Sequence, residues 1–588
     1  MVGHSTDDDT VAASVNTPDN KQPEVDGDKD ATAAAFEVDP DQHLELEKKM
    51  SRGGNPPESE IVYPSGFKVI TILIGLMLAV FLVALDQTII ATAIPKITDR
   101  FKSINDIGWY GSAYFLTSTA LQPTFGRIYK IFSIKGTFLV AIGLFELGSV
   151  ICGVAPNSTA LIIGRAIAGL GVGGIFSGAI VILAYTLPLQ KRPLAFASIA
   201  SMWGIASIVG PLLGGAFTDH VSWRWCFYIN LPFGAISCVV VLFVLRIPRE
   251  ANPEGLTVIE RIRQLDLIGA AILIPAVVSL LLALQWGGTT YAWNNAKIIG
   301  LFVCFGGLVI IFIISQWKLG DAATLPPRIL KQRSVLASLT FACFFGAAFF
   351  VDVYYLPIYF QSVKGSSATK SGIQVLPILL SCVLTSMVSG GLITAIGYYT
   401  PFLIGGMLLY SIGAGLITTF EVDSNSAHWI GYQVLAGSGV GVGFQVPILA
   451  VQTVLHMDDI PVGTAIITFF QSLGGALFVS VGQNIFTNGL KRGLEEYIPD
   501  VPPSAFLTSG ATEILTVLRN RGMPERLDDV RQAYMVGLKD TFRLCTALAV
   551  CAFLCACGLE WKNIKAEKQK KEAEAAEKGV TLEPAIAV

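Results

Sequence analysis

Four charged side chains lie inside apolar segments of the chain, where a charge needs water, a partner or a function. Three of them are acids, Asp86, Glu146 and Asp352, and the fourth is the base Arg165. An ionised side chain in the middle of a membrane-spanning helix costs about 2.5–3.5 kcal/mol on insertion scales. We therefore expect each of these groups to face an aqueous cavity or an oppositely charged partner.

The four residues are predicted to share one depth in the membrane. Counted along their helices at about 1.5 Å per residue, each lies roughly 12–13 Å from the same membrane surface. We therefore predict that Asp86 and Arg165 act in proton coupling, with a purely structural ion pair as the alternative. Glu146 and Asp352 are candidates for coupling or cavity charges, and the alternative is that they satisfy polar groups in helix packing.

A carboxyl beside an arginine is suited to proton coupling. Burial favours the protonated form of a carboxyl and a nearby cation favours the ionised form, so a conformational change that alters either releases or captures a proton. Arginine keeps its own proton under these conditions. We therefore predict that Asp86 carries the proton and that Arg165 adjusts how readily Asp86 takes it up. No cofactor is expected, because a proton gradient would supply the driving force.

The elements that must position these residues are membrane-spanning helices. Of the 588 residues, 52% are hydrophobic and 14% are charged, and the mean hydropathy is +0.59. Soluble domains carry about 25% charged residues, so this composition indicates a polytopic membrane protein. A span needs about 20 apolar residues, which predicts fourteen spans at 68–95, 108–129, 134–155, 159–187, 194–218, 223–246, 266–286, 297–317, 335–361, 372–396, 401–420, 429–454, 463–487 and 541–561.

An internal repeat indicates two related halves. The sequence AGLGVG at 168–173 recurs as AGSGVG at 436–441, and FLV at 138–140 matches FLI at 402–404 at nearly the same offset. Duplicated halves are common in secondary transporters, although glycine-rich helices can also resemble one another by chance. The offset covers eight predicted spans, so two additional helices are expected between six-helix halves.

The predicted fold is therefore all-α and polytopic, with two six-helix bundles and two additional helices. The segment 1–66 contains fifteen acids against five bases and few aromatic residues, which predicts a disordered acidic tail. Loops on the side of this tail hold thirteen lysines and arginines against six on the other side, which predicts that both termini are cytoplasmic. The predicted segments are a tail at 1–66, a first bundle at 67–247, a linker with the two additional helices at 248–334, a second bundle at 335–561 with a long outer loop at 488–540, and a tail at 562–588.

Uncharged polar side chains within the spans predict the lining of a substrate cavity. Scattered amides and phenols in an apolar wall are suited to bulky, mostly apolar organic compounds, and bridging between helices is the alternative for each. These residues are Gln87, Gln122, Tyr354, Tyr355, Gln361, Gln433 and Gln445. The fifth span carries a motif that favours close helix approach and a bend, formed by Gly204, Gly210, Pro211, Gly214 and Gly215.

Several classes of function are not expected from this sequence. The basic residues stand at the ends of apolar runs without an aromatic-rich patch, which argues against nucleic-acid binding. The ten cysteines lack ligand spacing and the histidines lie outside the span cores, which argues against a metal site, a disulfide framework or an enzyme active site. The sequon at Asn157 lies in a short turn, where we expect no glycosylation.

The chain carries, in order, Leu85-Asp86-Gln87-Thr88 with Pro95, Gly164-Arg165 with the following glycines, and the fifth-span glycine-proline motif. Together with two later segments, these motifs resemble the major facilitator superfamily over roughly residues 68–490. The segments 223–234 and 355–361 are similar to the fungal branch of its fourteen-span drug:proton antiporter family, which includes toxin and multidrug efflux pumps. The loop after the second span departs from the pattern, because Lys130 stands where an aspartate is usual and Ser133 where a glycine is usual. The family's charge relay is therefore not expected there.

The resemblance implies two bundles that rock about a central site and export organic compounds in exchange for protons. It also implies that Asp86 and Arg165 stand at positions linked to proton coupling. We accordingly expect a monomeric transporter of a toxin, secondary metabolite or drug in the cell membrane, with the vacuolar membrane as the second choice. The alternative function is a vacuolar basic amino-acid or siderophore transporter of the same fold.

Overall fold

The computed structural model describes residues 66–101, 106–245, 258–288, 291–503, 506 and 514–567, and these residues are mainly helical. The acidic tail predicted at 1–66 lies outside the described residues except for Gly66, as does the second tail beyond residue 567. The long helices are, in chain order, α1 (Phe67–Phe101), α2 (Ile107–Ile131), α3 (Ile134–Val154), α4 (Ser158–Thr186), α5 (Arg192–His220), α6 (Asn230–Phe243), α7 (Leu267–Trp286), α8 (Ala296–Leu319), α9 (Arg333–Ile358), α10 (Leu376–Ile396), α11 (Thr400–Ile417), α12 (Ser426–Gly443), α13 (Val446–Val454), α14 (Ile460–Tyr497) and α15 (Leu527–Cys557).

The helices agree with an all-α polytopic protein. Thirteen helical segments of the described residues are long and apolar enough to cross a membrane, with α12 and α13 joined in a single crossing. Helix α2 has 25 residues but is not among them, since it carries polar and charged side chains such as Gln122, Arg127 and Lys130. The count of fourteen spans therefore stays a prediction.

The segment predicted as a long outer loop at 488–540 is helical at both ends in the structure, and its place outside the membrane stays a prediction. Helix α14 continues to Tyr497 and α15 begins at Leu527, so both ends of the predicted loop are helical. Gly489 lies against Gly537, and this close approach lets the end of α14 pack against the first half of α15.

The two halves of the protein pack their helices in the same pattern. In the first half α4 packs against α2 and α3, and in the second half α12 packs against α10 and α11. Asparagines at equivalent positions of the repeat begin these central helices, because Asn157 Oδ1 accepts from Ala160 N and Asn425 Oδ1 accepts from His428 N. The repeat inferred from the sequence is therefore present in the packing.

The repeated glycines explain why this packing is so close. A Cβ atom on Gly169 would overlap the backbone of Tyr114 in α2, and one on Gly437 would overlap the backbone of Ile378 in α10. Small residues let helix backbones approach when lipid supplies no hydrophobic driving force between helices. The glycines of the repeat therefore set the spacing of the central helices in both halves.

The two additional helices, α7 and α8, form a hairpin that packs on α2 and α14. The buried Asp266 carboxylate begins α7 and accepts hydrogen bonds from Gly269 N at 2.6 Å and Gln316 Nε2 at 2.7 Å, and from the Thr324 backbone and hydroxyl at 2.9 Å. Arg127 of α2 donates to backbone oxygens next to this hairpin, including that of Ala322 at 2.9 Å. The base of the hairpin is thus tied to the first half.

Replacing Asp266 by alanine should destabilise the base of this hairpin. The side chains of Gln316 and Thr324 would lose their shared acceptor in a buried place, at an expected cost of about 2–4 kcal/mol. The midpoint of thermal unfolding of the purified full chain in detergent measures this loss.

The matched control is Asp321→Ala, since Asp321 is 72% exposed and pairs with an exposed arginine. Exposed ion pairs contribute about 0–1 kcal/mol, so this variant should unfold close to the wild-type midpoint. Equal midpoints for the two variants would show that the Asp266 hydrogen bonds do not hold the hairpin.

Candidate functional site

Helices α1 and α4 bring Asp86 and Arg165 into direct contact. Arg165 Nη1 donates to Asp86 Oδ2 at 2.5 Å, and both side chains are only 1% exposed. Arg165 Nε also donates to the backbone oxygen of Tyr110 at 2.8 Å, and the guanidinium lies 4.2 Å from the centre of the Tyr114 ring. The predicted contact is therefore present, while its role in coupling stays a prediction.

Asn230 is the next polar residue around this pair. Its Nδ2 atom donates to Asp86 Oδ1 at 3.4 Å and to Ser149 Oγ of α3 at 3.1 Å, and the side chain is fully buried. Sequence reasoning missed this role, although an amide at the start of an apolar helix was a usable signal. Within the described chain, Asn230 Oδ1 and Arg165 Nη2 are buried without a hydrogen-bond partner, so the pair is incompletely satisfied.

Glu146 belongs to the same group of residues. A Cβ atom on Gly234, one turn after Asn230 in α6, would overlap Glu146 Oε1, so the glycine provides the space for this carboxyl. Both oxygens of Glu146 are buried, and among the described residues neither has a hydrogen-bond partner. The structure thus brings together three of the four charged residues singled out in the sequence.

Asp352 lies elsewhere, in the core of the second half. It is fully buried, and its Oδ2 atom accepts from the Tyr410 hydroxyl at 3.0 Å. The Tyr410 hydroxyl also lies 3.7 Å from Cys545 Sγ. When the two copies of the glycine repeat are aligned, the position equivalent to Arg165 is Gln433, so the two halves carry different groups at this place.

The predicted cavity residues occupy several different environments. Gln433, Gln445 and Tyr355 are buried and bond within the second half, and Gln361 donates to Ser371 Oγ there at 2.9 Å. These four make the hydrogen bonds that the helix-bridging alternative expected, and their place in a substrate cavity stays a prediction. The other three differ in exposure: Gln87 is half-buried, Gln122 is buried, and Tyr354 is 52% exposed. Gln122 also donates to Ser472 Oγ of the other half at 3.4 Å.

The glycine-proline motif lies within α5, which runs unbroken through Pro211. A Cβ atom on Gly210 would overlap Thr88 Oγ1 of α1, and one on Gly204 would overlap Val383 of α10 in the other half. Gly214 is buried, whereas Gly215 has open space around it and needs no close approach. Helix α5 therefore packs closely against α1 of its own half at Gly210 and against α10 of the other half at Gly204.

Ion pairs and hydrogen bonds connect the halves at one end of the bundle, which we call the basic end (Lys130, Arg192 and Arg328). Asp459 at the start of α14 contacts Lys130 Nζ and Arg328 Nη2, each at 2.8 Å. The fully buried Arg192 donates to Gln452 Oε1 at 3.2 Å. Hydrogen bonds to Asp459 and Asp321 raise the pKa of Arg328, so it stays charged. Sequence reasoning left this end out because Lys130 departs from the familiar pattern.

Two structurally related helix bundles with a buried ion pair between membrane-spanning helices are the architecture of a membrane transporter. The sequence model of the Major Facilitator Superfamily matches residues 76–479. The chain belongs to this family of transporters.

Several relatives carry the names of exporters. The chain is 52% identical over 532 residues to the MFS-type efflux pump MFS1 of Arthroderma benhamiae, which covers 90% of this chain and 98% of the relative. It is 47% identical over 502 residues to the efflux pump aflT of Aspergillus parasiticus, covering 85% and 97%. The chain therefore resembles fungal efflux pumps over nearly their whole length.

Solved structures of distant relatives share the fold. The human organic anion transporter MFSD10 matches with a TM-score of 0.53 at 12% identity, covering 84% of this chain and 100% of that one. The proton:xylose symporter XylE matches with a TM-score of 0.53 at 14% identity, covering 85% and 98%.

The buried ion pair should show strong energetic coupling between its partners. Arg165→Gln alone leaves Asp86 as an uncompensated buried charge, which we expect to cost about 3–5 kcal/mol. Adding Asp86→Asn should recover a large part of that loss. Thermal unfolding of the two single variants and the double variant in detergent gives the coupling free energy.

Arg543→Gln is the control for this cycle, because Arg543 is 68% exposed and pairs with Asp540 on the surface. Its removal should change the free energy of unfolding by less than about 1 kcal/mol. Strictly additive effects of Arg165→Gln and Asp86→Asn would contradict the interaction.

Proposed function

We propose that this protein is a proton-coupled exporter of bulky, mostly apolar organic compounds. It works by alternating access, in which a region between the two halves opens first to one side of the membrane and then to the other. The observation that supports the proton coupling most directly is the buried contact between Asp86 and Arg165. The efflux names of relatives that cover nearly the whole chain support the direction of transport.

Protonation of Asp86 would change the interaction that holds α1 against α4. The ionised carboxylate and the guanidinium attract each other strongly in a buried place, and the neutral acid loses most of this attraction. The site therefore has a paired state, which the structure shows, and a protonated state in which the two helices are freer to move apart. A proton taken up from outside and released inside can drive this change in each transport cycle.

The substrate class follows from the relatives and from the charges of the site. One relative, 45% identical over 507 residues, is named as the aspyridones efflux protein of Neocamarosporium betae. A carrier of basic amino acids would need a carboxylate available to the transported cation. Asp86 is already paired with Arg165, and Glu146 and Asp352 have buried carboxyl oxygens, so these charges favour an apolar organic substrate.

The basic end is proposed to face the cytoplasm and to be closed in this structure. An excess of lysine and arginine marks the cytoplasmic side of membrane proteins. Lys130 of the first half pairs with Asp459 of the second half at this end, with Arg192 and Gln452 beside them. We expect the protein to act as a monomer in the cell membrane, with both termini in the cytoplasm.

Asp86→Asn should abolish export driven by a proton gradient, because asparagine cannot take up a proton. In vesicles with an imposed pH gradient, the initial rate of export of an apolar dye should fall by at least about tenfold. The control Asp500→Asn changes an exposed aspartate and should transport at the wild-type rate. Gradient-driven export by Asp86→Asn at the normal rate would remove Asp86 from the coupling mechanism.

Lys130→Glu should loosen the closure of the basic end, because it places a second negative charge beside Asp459. Spin labels on cysteines at Lys191 and His456, in a background without native cysteines, report the distance between the halves at this end. Both positions are exposed. We expect the population of longer distances to grow.

Lys331→Glu is the matched control, since Lys331 is an exposed lysine near the same end. It should leave the distance distribution unchanged. An unchanged distribution in Lys130→Glu as well would show that the Lys130–Asp459 pair does not close this end.

A further inference from the structure

The acid Glu146 has an unusual position beside the ion pair. A Cβ atom on Gly234 would overlap its Oε1 atom. Asn230, one turn earlier in α6, donates a hydrogen bond to Asp86 Oδ1 at 3.4 Å. Ser149, one turn after Glu146 in α3, accepts from Asn230 as well, at 3.1 Å. Glu146 and Asp86 are therefore neighbours within one buried polar cluster that α1, α3, α4 and α6 build.

The charges of this cluster do not balance if both acids are ionised. Two carboxylates would face one guanidinium, and an uncompensated buried charge is strongly unfavourable. Arg165 already uses Nη1 on Asp86 and Nε on the Tyr110 backbone. A single proton held by the cluster makes it neutral.

The hydrogen-bonding atoms indicate which acid holds this proton. Asp86 accepts from Arg165 and from Asn230, which suits a carboxylate. Glu146 accepts from no donor among the described residues, and the buried Asn230 Oδ1 is an acceptor that also lacks a donor there. A proton on Glu146 adds a donor to a cluster in which three of the four unpaired polar atoms, the two Glu146 oxygens and Asn230 Oδ1, are acceptors.

Other titratable groups around α3 do not replace this proton. Lys135 and Arg224, near the two ends of the helix, donate to backbone oxygens of Leu242 and of Gly153 and Ala155. Other titratable groups on α3 or on the elements packed around it include Tyr114 and Tyr129 of α2, Cys226 and Tyr228 of the turn before α6, Cys238 of α6 and Cys152 of α3. Thiols and phenols are uncharged near neutral pH, so Arg165, which is paired with Asp86, is the cation of this cluster among the described residues.

We propose that Glu146 is a second proton-carrying carboxyl of the Asp86 site and holds a proton while Asp86 is paired with Arg165. When the pair separates, Asp86 takes up a proton from the outer aqueous side and Glu146 releases its proton to water. One O–H bond forms on Asp86, one O–H bond breaks on Glu146, and the total charge is unchanged. Arg165 Nη2, which has no partner in the described structure, is then available to the Glu146 carboxylate. The exchange step rests on the proposed proton coupling, whereas the proton on Glu146 in the paired state does not.

Infrared spectroscopy of the purified full chain near neutral pH tests the protonated carboxyl directly. Wild-type protein should show a carboxylic-acid C=O band that shifts when glutamate is labelled with ¹³C at its side-chain carboxyl, and Glu146→Gln should lack this component. Glu495→Gln, which changes an exposed glutamate, should keep it. A wild-type spectrum without a ¹³C-glutamate component would overturn the proposal, even if the Glu146→Gln variant did not fold.

Transport measurements test the exchange step. Glu146→Gln should fold, bind the dye and give an export rate whose dependence on pH is flattened relative to wild type, with Glu495→Gln unchanged. A wild-type pH profile in Glu146→Gln would overturn the exchange. Wild-type protein that exports without any response to a pH gradient would instead refute the proposed function, and the infrared result would still decide the protonation of Glu146.

Discussion

The cost of burying charge in a membrane-spanning bundle is the constraint on which the site depends. Asp86 and Arg165 are both almost fully buried, and each is stable there only because the other is present. Asn230 and the backbone of Tyr110 contribute hydrogen bonds that hold the pair in place. An interaction that costs this much to form and to break is well suited to couple a proton to a movement of helices.

Close helix packing places this pair and sets the spacing of both halves. Gly169 and Gly437 let equivalent helices approach at equivalent contacts, so the scaffold is repeated. The charges are not repeated, because Gln433 stands where the first half has Arg165. The second half instead buries Asp352 beside Tyr410, a carboxyl with a neutral partner. Duplicated architecture thus carries different chemistry in its two halves.

One ion pair between the halves is formed by a residue that departs from the family pattern. Lys130 departs from the pattern of the family, which argued against a charge relay in this loop. In the structure its ammonium group pairs with Asp459 at the start of α14, and Arg328 joins from the linker. A basic residue on the first half and an acid on the second half therefore connect the two bundles at the basic end.

The sequence by itself determined the helical class and the repeat, and it singled out Asp86 and Arg165, whereas the shared depth of the four charged residues stays a prediction. It did so because an apolar run of about 20 residues and a charge within it have few physical solutions. Only the tertiary structure decided that Asn230 and Gly234 build the rest of the cluster, that Asp352 lies apart from it, and that Gln433 and Gln445 bridge helices. Helical spacing gives the depth of a side chain, but its neighbours depend on how each helix is rotated against the others, and that is set by packing across the whole bundle.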